Sequence, residues 1–556
     1  MECCLMGVSR RDFLMRVGQA GGVSAAFLTM QAMGVMPVLA AEPIAAAPDT
    51  GNGVKVVILG GGIAGLVAAY ELRALGYSCT VLEARERPGG RNWTVRGGDK
   101  VMFTDGTTQT STWDTGNYQN VGPARLPSIH KTMLGYCRKL GVELQVEVNT
   151  SRSSYLQNDK ANGGKPMVQR QVINDTRGHV SELLMKSMSS GALDKEMTPT
   201  DRDQMLAFLR VYGPLDDAGK YTGSDRAGYV RDPGAGDDTG ILSKPVDMET
   251  LLNEDFWQAI LFEEIFDMQA TMFQPVGGMD RIPYAFAKSL GDIVQYKSPV
   301  TEIRKTASGV KVGYTQDGSP KTIEAEYCIC AMPLTILKTT PNDFSAPYKK
   351  VIAECEYSYA YKVAWESRRF WEQDYNIYGG LEFVSQGPSP IWFPSGGMFG
   401  DRGVLVSGYT DERETPFGSL TMPQKFDASR SSIEKLHPGH GKELEKPIYV
   451  GWGKIPHNLG SWIQSYGPGQ ERAPGAVMSG KKGGPAHPAA AATKTNPGYE
   501  TIIEPDGPIY FAGDHCSHIV GWQEGAALSS IRAVKLIAEK TKSARLAGAF
   551  GGSSRV

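Results

Sequence analysis

Three glycines spaced Gly60-x-Gly62-x-x-Gly65, followed by a carboxylate at Glu83, are residues with which a chain can bind a dinucleotide. Gly60 permits a tight turn, Gly62 lets the backbone approach a pyrophosphate, and Gly65 lets a helix pack closely on a strand. Free N–H groups and a partial positive charge at the start of that helix would meet the phosphates. Glu83 can accept hydrogen bonds from both hydroxyls of an adenosine ribose. Glycine-rich turns recur by chance, so the motif counts only when its flanking elements fall in register.

Here they do. Val56-Val57-Ile58-Leu59 reads as a buried parallel strand. Leu66, Ala68, Ala69, Leu72 and Leu75 carry one helical face, and Gly76 ends the helix. Cys79-Thr80-Val81-Leu82 forms a second strand that finishes on Glu83. The whole is a βαβ dinucleotide unit. At 556 residues the chain exceeds what one core supports, so two or three domains are expected. A formal charge of −2 gives no argument for nucleic acid or an anionic membrane surface. The eight cysteines are scattered, which excludes a disulfide framework, and no metal-ligand spacing occurs. Cys328 and Cys330 sit in an apolar run and read as buried thiols.

Ser9-Arg10-Arg11-Asp12-Phe13-Leu14, a weakly apolar stretch and Val38-Leu39-Ala40-Ala41 form a twin-arginine export leader over 1–40, with 41–53 as linker. The leader is too polar and broken for a good membrane span, so the expectation is a periplasmic or secreted protein without stable membrane insertion. Asn253 to Ala270 reads as one amphipathic helix, and Asp317-Gly318 as the turn of a β-hairpin. From Gly467 to Gly498 the composition suggests a mobile surface loop.

Arg85-Glu86-Arg87-Pro88-Gly89-Gly90-Arg91 resembles the ERxGGR segment of FAD-dependent amine oxidases. That resemblance implies that Ala84, Arg85, Gly90 and Arg91 join Gly60, Gly62, Ile63, Ala64, Gly65 and Glu83 in holding FAD. Asn120 to Pro127 is similar to the GPMRxP segment of the L-amino-acid oxidases within that family, with Ala124 where methionine is usual. It implies that Arg125 clamps a substrate α-carboxylate, with Gly122, Pro123 and Ala124 beside the cofactor. A planar guanidinium suits this task, since it can form two parallel hydrogen bonds to a carboxylate.

The same resemblance implies a backbone contact from Val300 to the adenine and a lysine, Lys362, that reaches flavin N5 through a water. It also implies a hydroxyl from Tyr409 on the substrate carboxylate, and a pocket wall at Trp462. Asp514 would bond the ribityl chain or phosphates. Gly521-Trp522-Gln523-Glu524-Gly525-Ala526 would open a helix facing the flavin, with Trp522 as an aromatic wall and Gln523 and Ala526 beside the cofactor. His515 and His518 read as surface residues.

The implied fold is mixed α/β: a Rossmann-like FAD-binding domain (54–100, 275–344, 498–541), a β-sheet substrate domain (101–148, 345–497) and a helical domain (149–274), then a flexible tail (542–556). The implied activity is oxidative deamination of L-amino acids with dioxygen, giving 2-oxo acid, ammonia and hydrogen peroxide. The alternatives are an amine oxidase, an amino-acid 2-monooxygenase or a non-catalytic flavin-binding protein. FAD would be non-covalent, because no cysteine lies between Cys355 and Cys516 to tether it. A homodimer is a further expectation of the resemblance.

Overall fold

The computed structural model describes residues 49–413, 416–468 and 496–551. The export leader, most of the linker and most of the 467–498 loop lie outside the described residues. A five-stranded parallel sheet forms the centre, in the order Val294–Gln295, Ser78–Leu82, Lys55–Leu59, Tyr327–Cys330, Ile509–Phe511. Its strands come from distant parts of the chain. In the central strand, Val56 and Ile58 face one core and Val57 and Leu59 the other, as the two-residue period of a strand requires. Both faces are therefore apolar and both are covered.

On the first face lie the helices Ile63–Ala74 and Gln523–Gly551, together with Lys131–Lys139, whose Met133, Tyr136 and Cys137 join that core. The second face is covered in part by the meander Val300–Thr306, Gly309–Gln316, Ser319–Ala325. Asp317 and Gly318, at φ 49° and 76°, make its turn as the sequence predicted. Cys328 and Cys330 point into the same apolar face, and burial raises both thiols. Among the described residues, no group of His, Cys, Asp or Glu could hold a metal ion. No helix there is long and apolar enough to cross a membrane.

Beside this unit stands a seven-stranded sheet built around the long antiparallel pair Ala360–Arg368 and Arg402–Asp411. Between the two units lies a three-stranded sheet, Leu126–Pro127, Met272–Pro275, Leu144–Glu147.

Some sequence expectations are revised. The 149–274 stretch is not wholly helical, because Tyr155–Gln157 and Met167–Val168 extend the seven-stranded sheet and the first long helix begins at Gln169. The helix read over 253–270 ends at Ile260 and gives way to short turns at Phe262–Glu264 and Phe266–Met268. Those turns bury both Phe262 and Met268 in one cluster. Six positions apart on a straight helix, they would point about 120° from each other.

The final helix continues past Lys540 to Gly551, into the stretch read as a flexible tail (542–556), of which 552–556 lie outside the described residues. There Arg545 donates to the Asp49 carbonyl at 3.2 Å and the Asn52 carbonyl at 2.5 Å, fixing the end of the linker as a turn.

Candidate active site

One continuous pocket runs from Glu83 and Val300 to Tyr409 and Trp522 and encloses about 1360 Å³ of empty space, its mouth included. At the first end, the turn after Lys55–Leu59 depends on glycine. Gly60 has φ 103°, and a Cβ on Gly65 would lie 1.9 Å from the Gly60 carbonyl oxygen. The helix Ile63–Ala74 has neither a capping side chain nor an acid in its first turn, so its N-terminus is left to an anion. Glu83 is buried. It accepts from the Gly61 N–H at 2.8 Å and the Arg85 N–H at 2.9 Å, and both carboxylate oxygens are thereby fixed at the pocket wall. Arg85 is held in turn by the Pro456 carbonyl and the Asn458 side chain, both at 2.5 Å.

At the other end, Arg91 and Asp514 form an ion pair. Burial pushes the Asp514 carboxyl up, but Arg91, with His515 and the Gly521 N–H, more than offsets this and leaves it below the usual carboxylate range. Asp514 also accepts the Gly521 N–H at 3.1 Å, which fixes the turn into the helix Gln523–Gly551. Asn92 donates to the Gln523 side chain at 2.6 Å. The remaining amide atoms, Asn92 Oδ1 and Gln523 Nε2, are buried without a partner among the described residues, and both residues line the pocket. A glycine cradle, an open helix N-terminus, a fixed carboxylate and unpartnered polar atoms suit a dinucleotide with a polar ring edge.

The substrate-side residues converge behind and beside this pocket. Arg125 is 5% exposed. Its guanidinium lies 4.5 Å over the Trp392 ring and 5.7 Å from Phe262, and it bonds the Asn149 side chain. Burial lowers its pKa, with Glu147 and Tyr409 opposing. No carboxylate comes within ion-pair distance of it among the described residues. Tyr409 lines the pocket and pairs across the sheet with Lys362. Lys362 is 2% exposed and donates to the carbonyls of Asn120 at 2.6 Å and Gly122 at 2.7 Å. Trp462 packs against Gly521, and Trp522 meets His130 edge-on at 4.9 Å.

Most residues implied by resemblance therefore line one pocket: Gly60, Gly62, Ile63, Ala64, Glu83, Ala84, Arg85, Gly90, Arg91, Gly122, Pro123, Val300, Tyr409, Trp462, Asp514, Gly521, Trp522, Gln523 and Ala526. Gly65 packs beneath the turn, and Arg125 and Lys362 are buried beside the pocket without lining it. Ala124 is a correction: it faces a neighbouring cavity and the apolar cluster around Trp392, not the cofactor pocket, because the chain turns away after Pro123. His515 is another. It is buried against the pocket, and desolvation lowers it to about 4, so it stays neutral. His518 is exposed and packs on Tyr499.

Sequence reasoning missed Glu147, Asn149, Trp392 and Asn120 around Arg125 and Lys362. It also missed Glu524, whose carboxylate accepts the Thr132 and Met133 N–H groups at 2.9 and 2.8 Å and ties the helix Lys131–Lys139 to the pocket. A glutamate in the first turn after Gly521 was the available signal.

Fold and pocket together define a dinucleotide-binding protein of the doubly covered parallel-sheet type. The chain belongs to the flavin-containing amine oxidoreductase family, which matches residues 63–538, and so is a flavin-dependent oxidoreductase. Among its relatives are L-amino-acid oxidases of Notechis scutatus scutatus, 24% identical over 514 residues, and of Pseudechis australis, 25% identical over 515 residues. The alignments cover 88% of this chain with 87% of the first relative and 88% of the second. Similar solved structures include putrescine oxidase bound to putrescine (TM-score 0.54, 18% identity) and cyclohexylamine oxidase from Brevibacterium oxydans IH-35A (TM-score 0.55, 17% identity). Each matches 88% of this chain with 99% of its own, and establishes the shared fold.

Proposed function

We propose that the protein deaminates L-amino acids oxidatively, with non-covalently bound FAD and with dioxygen as acceptor, giving 2-oxo acid, ammonia and hydrogen peroxide. The observation that carries this reading is Arg125. A buried guanidinium without an ion-paired carboxylate is costly, and a substrate carboxylate is the group that would compensate it. The names of the aligned relatives support the same substrate class.

FAD, when bound, supplies the acceptor for a hydride from the substrate Cα. The protein's part is to bind and orient. The Gly60–Gly65 turn and the helix N-terminus after Gly62 would hold the pyrophosphate, and Glu83 the ribose. The Gln523–Gly551 N-terminus would favour negative charge on the ring system. Arg125 and Tyr409 would fix the carboxylate, and the Gly521 carbonyl would accept from the amine. Trp462 and Trp522 would exclude water from the reacting face.

The test is anaerobic bleaching of the yellow protein by L-amino acids and by the matching amines without carboxylates. Bleaching by the amines alone would point to an amine oxidase, and bleaching by neither to a non-catalytic flavoprotein. A carboxamide product in air would identify a monooxygenase.

Lys362 is read as a cation serving the oxygen step, where developing negative charge needs stabilisation. Lys362→Met is expected to slow reoxidation by dioxygen roughly a hundredfold and flavin reduction much less. The opposite pattern in stopped-flow traces would remove Lys362 from that step. Cys516, two residues past Asp514, is buried and turned toward the Ile502 carbonyl at 3.7 Å, which favours an untethered cofactor. Acid precipitation should leave all the flavin in the supernatant; a yellow pellet would show a covalent link.

Export by the twin-arginine route and dimer formation are also proposed, on the Arg10-Arg11 leader and the family resemblance. Cell fractionation of an Arg10→Lys, Arg11→Lys variant and sedimentation analysis would check them. Unchanged export or a monomer would refute each in turn.

A further inference from the structure

Behind Lys362 lies a second cavity of about 1020 Å³ of empty space, mouth included. Its inner wall is the buried Asn120, Ala124, Glu147 and Trp392, and its outer rim is the exposed Gly116, Val276 and Gly397. It leads from Glu147 and Trp392, over whose ring the Arg125 and Lys362 cations lie, to the surface by a route separate from the cofactor pocket. Lys362 stands in the partition. One of its N–H groups donates to Gly122, a residue of the pocket wall, and another to Asn120, a residue of the cavity wall.

Among the described residues Glu147 is the one carboxylate on the cavity's wall, and it is 3% exposed. Its Oε1 accepts from the Trp392 indole N–H at 3.1 Å. Its Oε2 has no hydrogen-bond partner among the described residues. A buried carboxylate oxygen left unmatched is costly unless it carries a proton or meets water. Trp392 links the charges, since the Lys362 ammonium lies 5.4 Å from its ring and the Arg125 guanidinium 4.5 Å.

We propose that this cavity is a proton passage, with Glu147 as its inner proton-holding group, and that it serves Lys362 from the side away from the substrate. The proposal rests on the oxidase reading for its place in the cycle. In the substrate half-reaction an ammonium N–H bond breaks and its electron pair stays on nitrogen, releasing one proton. In the oxygen half-reaction dioxygen takes up a hydride equivalent from the reduced flavin and one further proton, giving hydrogen peroxide. One proton leaves and one returns per turnover. When Lys362 gives up its proton, the Glu147 O–H bond breaks and an N–H bond forms on Lys362 through water in the passage. Glu147 is then reprotonated from solvent. Glu147 thus acts through Lys362.

The electrostatics agree with this geometry. Burial raises Glu147 to about 7, against Arg125, the Trp392 bond and Lys362. Burial lowers Lys362 to about 7, helped by Arg125 and opposed by Glu147. Tyr409 flanks Lys362 on the pocket side, 5.1 Å from ring centroid to ammonium. The other titratable or charged groups on the cavity's wall are Tyr118, the buried Arg369 paired with Glu372, and Arg402 paired with Glu445. The inner pair therefore exchanges protons near neutral pH.

The test uses Glu147→Gln in the flavin-loaded protein, reduced with dithionite and mixed with dioxygen across pH. The wild-type rate should fall as pH rises through about 7, where Lys362 loses its charge. Without the carboxylate that raises Lys362, the fall should move to lower pH. A one-unit displacement makes the variant about tenfold slower at pH 8. A protonated-carboxyl infrared band that titrates in the wild type should be absent from the variant.

Superimposable profiles, or a wild type without such a band, would overturn the proposal. If Glu147→Gln does not fold, Glu147→Asp should displace the band and retain part of the oxygen rate; an unmoved band has the same overturning force. Dithionite bypasses the substrate, so a protein that no L-amino acid bleaches would sink the proposed function and leave this test intact.

Discussion

Arg125→Met is expected to lower the rate constant for anaerobic flavin reduction per mole of L-amino acid by at least two orders of magnitude, with flavin still bound. Arg125 is buried, stacked on Trp392, and bonded among the described side chains only to Asn149. A hydrogen bond to a charged group contributes about 1.5–3 kcal/mol, so two lost bonds to a carboxylate come to about 3–6 kcal/mol. At about 1.4 kcal/mol per tenfold, this exceeds a hundredfold. Methionine is apolar and similar in length, so the fold should tolerate it. Amines that lack a carboxylate should lose little. Unchanged reduction by L-amino acids would eliminate the clamp, and equal losses for both classes would indicate a distorted pocket.

The second large effect concerns the cofactor. Gly65→Val should yield protein with flavin content reduced more than tenfold, read from absorbance per polypeptide. Its Cβ would meet the Gly60 carbonyl oxygen at 1.9 Å, and neither partner can yield, since both are backbone within the turn. Gly62→Ala separates folding from binding. A Cβ there meets nothing in the protein closer than the Gly89 carbonyl oxygen at 4.0 Å, and the backbone at φ −75° accepts alanine. Thermal stability of the apoprotein should match the wild type while FAD affinity falls about tenfold or more. A Gly62→Ala protein that binds FAD normally would show that the pyrophosphate does not approach this residue.

The cofactor end was legible because its determinants are local. The βαβ unit, its three glycines and Glu83 lie within thirty residues, and each part constrains the next. The Asp317-Gly318 hairpin was legible for the same reason. The substrate end was readable only through resemblance, and its supporting residues were not readable at all.

The strand Leu144–Glu147 shows why. Alternation in Leu144-Gln145-Val146-Glu147-Val148-Asn149 suggests that the valines turn inward. In the fold Val146 is 54% exposed, and Glu147 and Asn149 are buried. The inward face meets Arg125 and a polar cavity, so a charged group there is matched by partners far away in sequence. Periodicity reports burial only where the core is apolar. Arg91 and Asp514, 423 positions apart, likewise gave no local sign of pairing.

The strand order of the parallel sheet has a consequence for biogenesis. Ile509–Phe511 docks beside Tyr327–Cys330, and the turn that follows it carries Asp514 and leads to Gln523. Translation therefore delivers the glycine turn first and the opposite wall of the same pocket last. A nascent chain can present a phosphate cradle for most of its synthesis, yet it cannot enclose a cofactor until its final helix has emerged. Loading then waits on that helix, and it closes a sheet in which most neighbouring strands are far apart in the chain, a topology that folds slowly. Ribosome-stalled chains ending before Ile509 should retain no flavin.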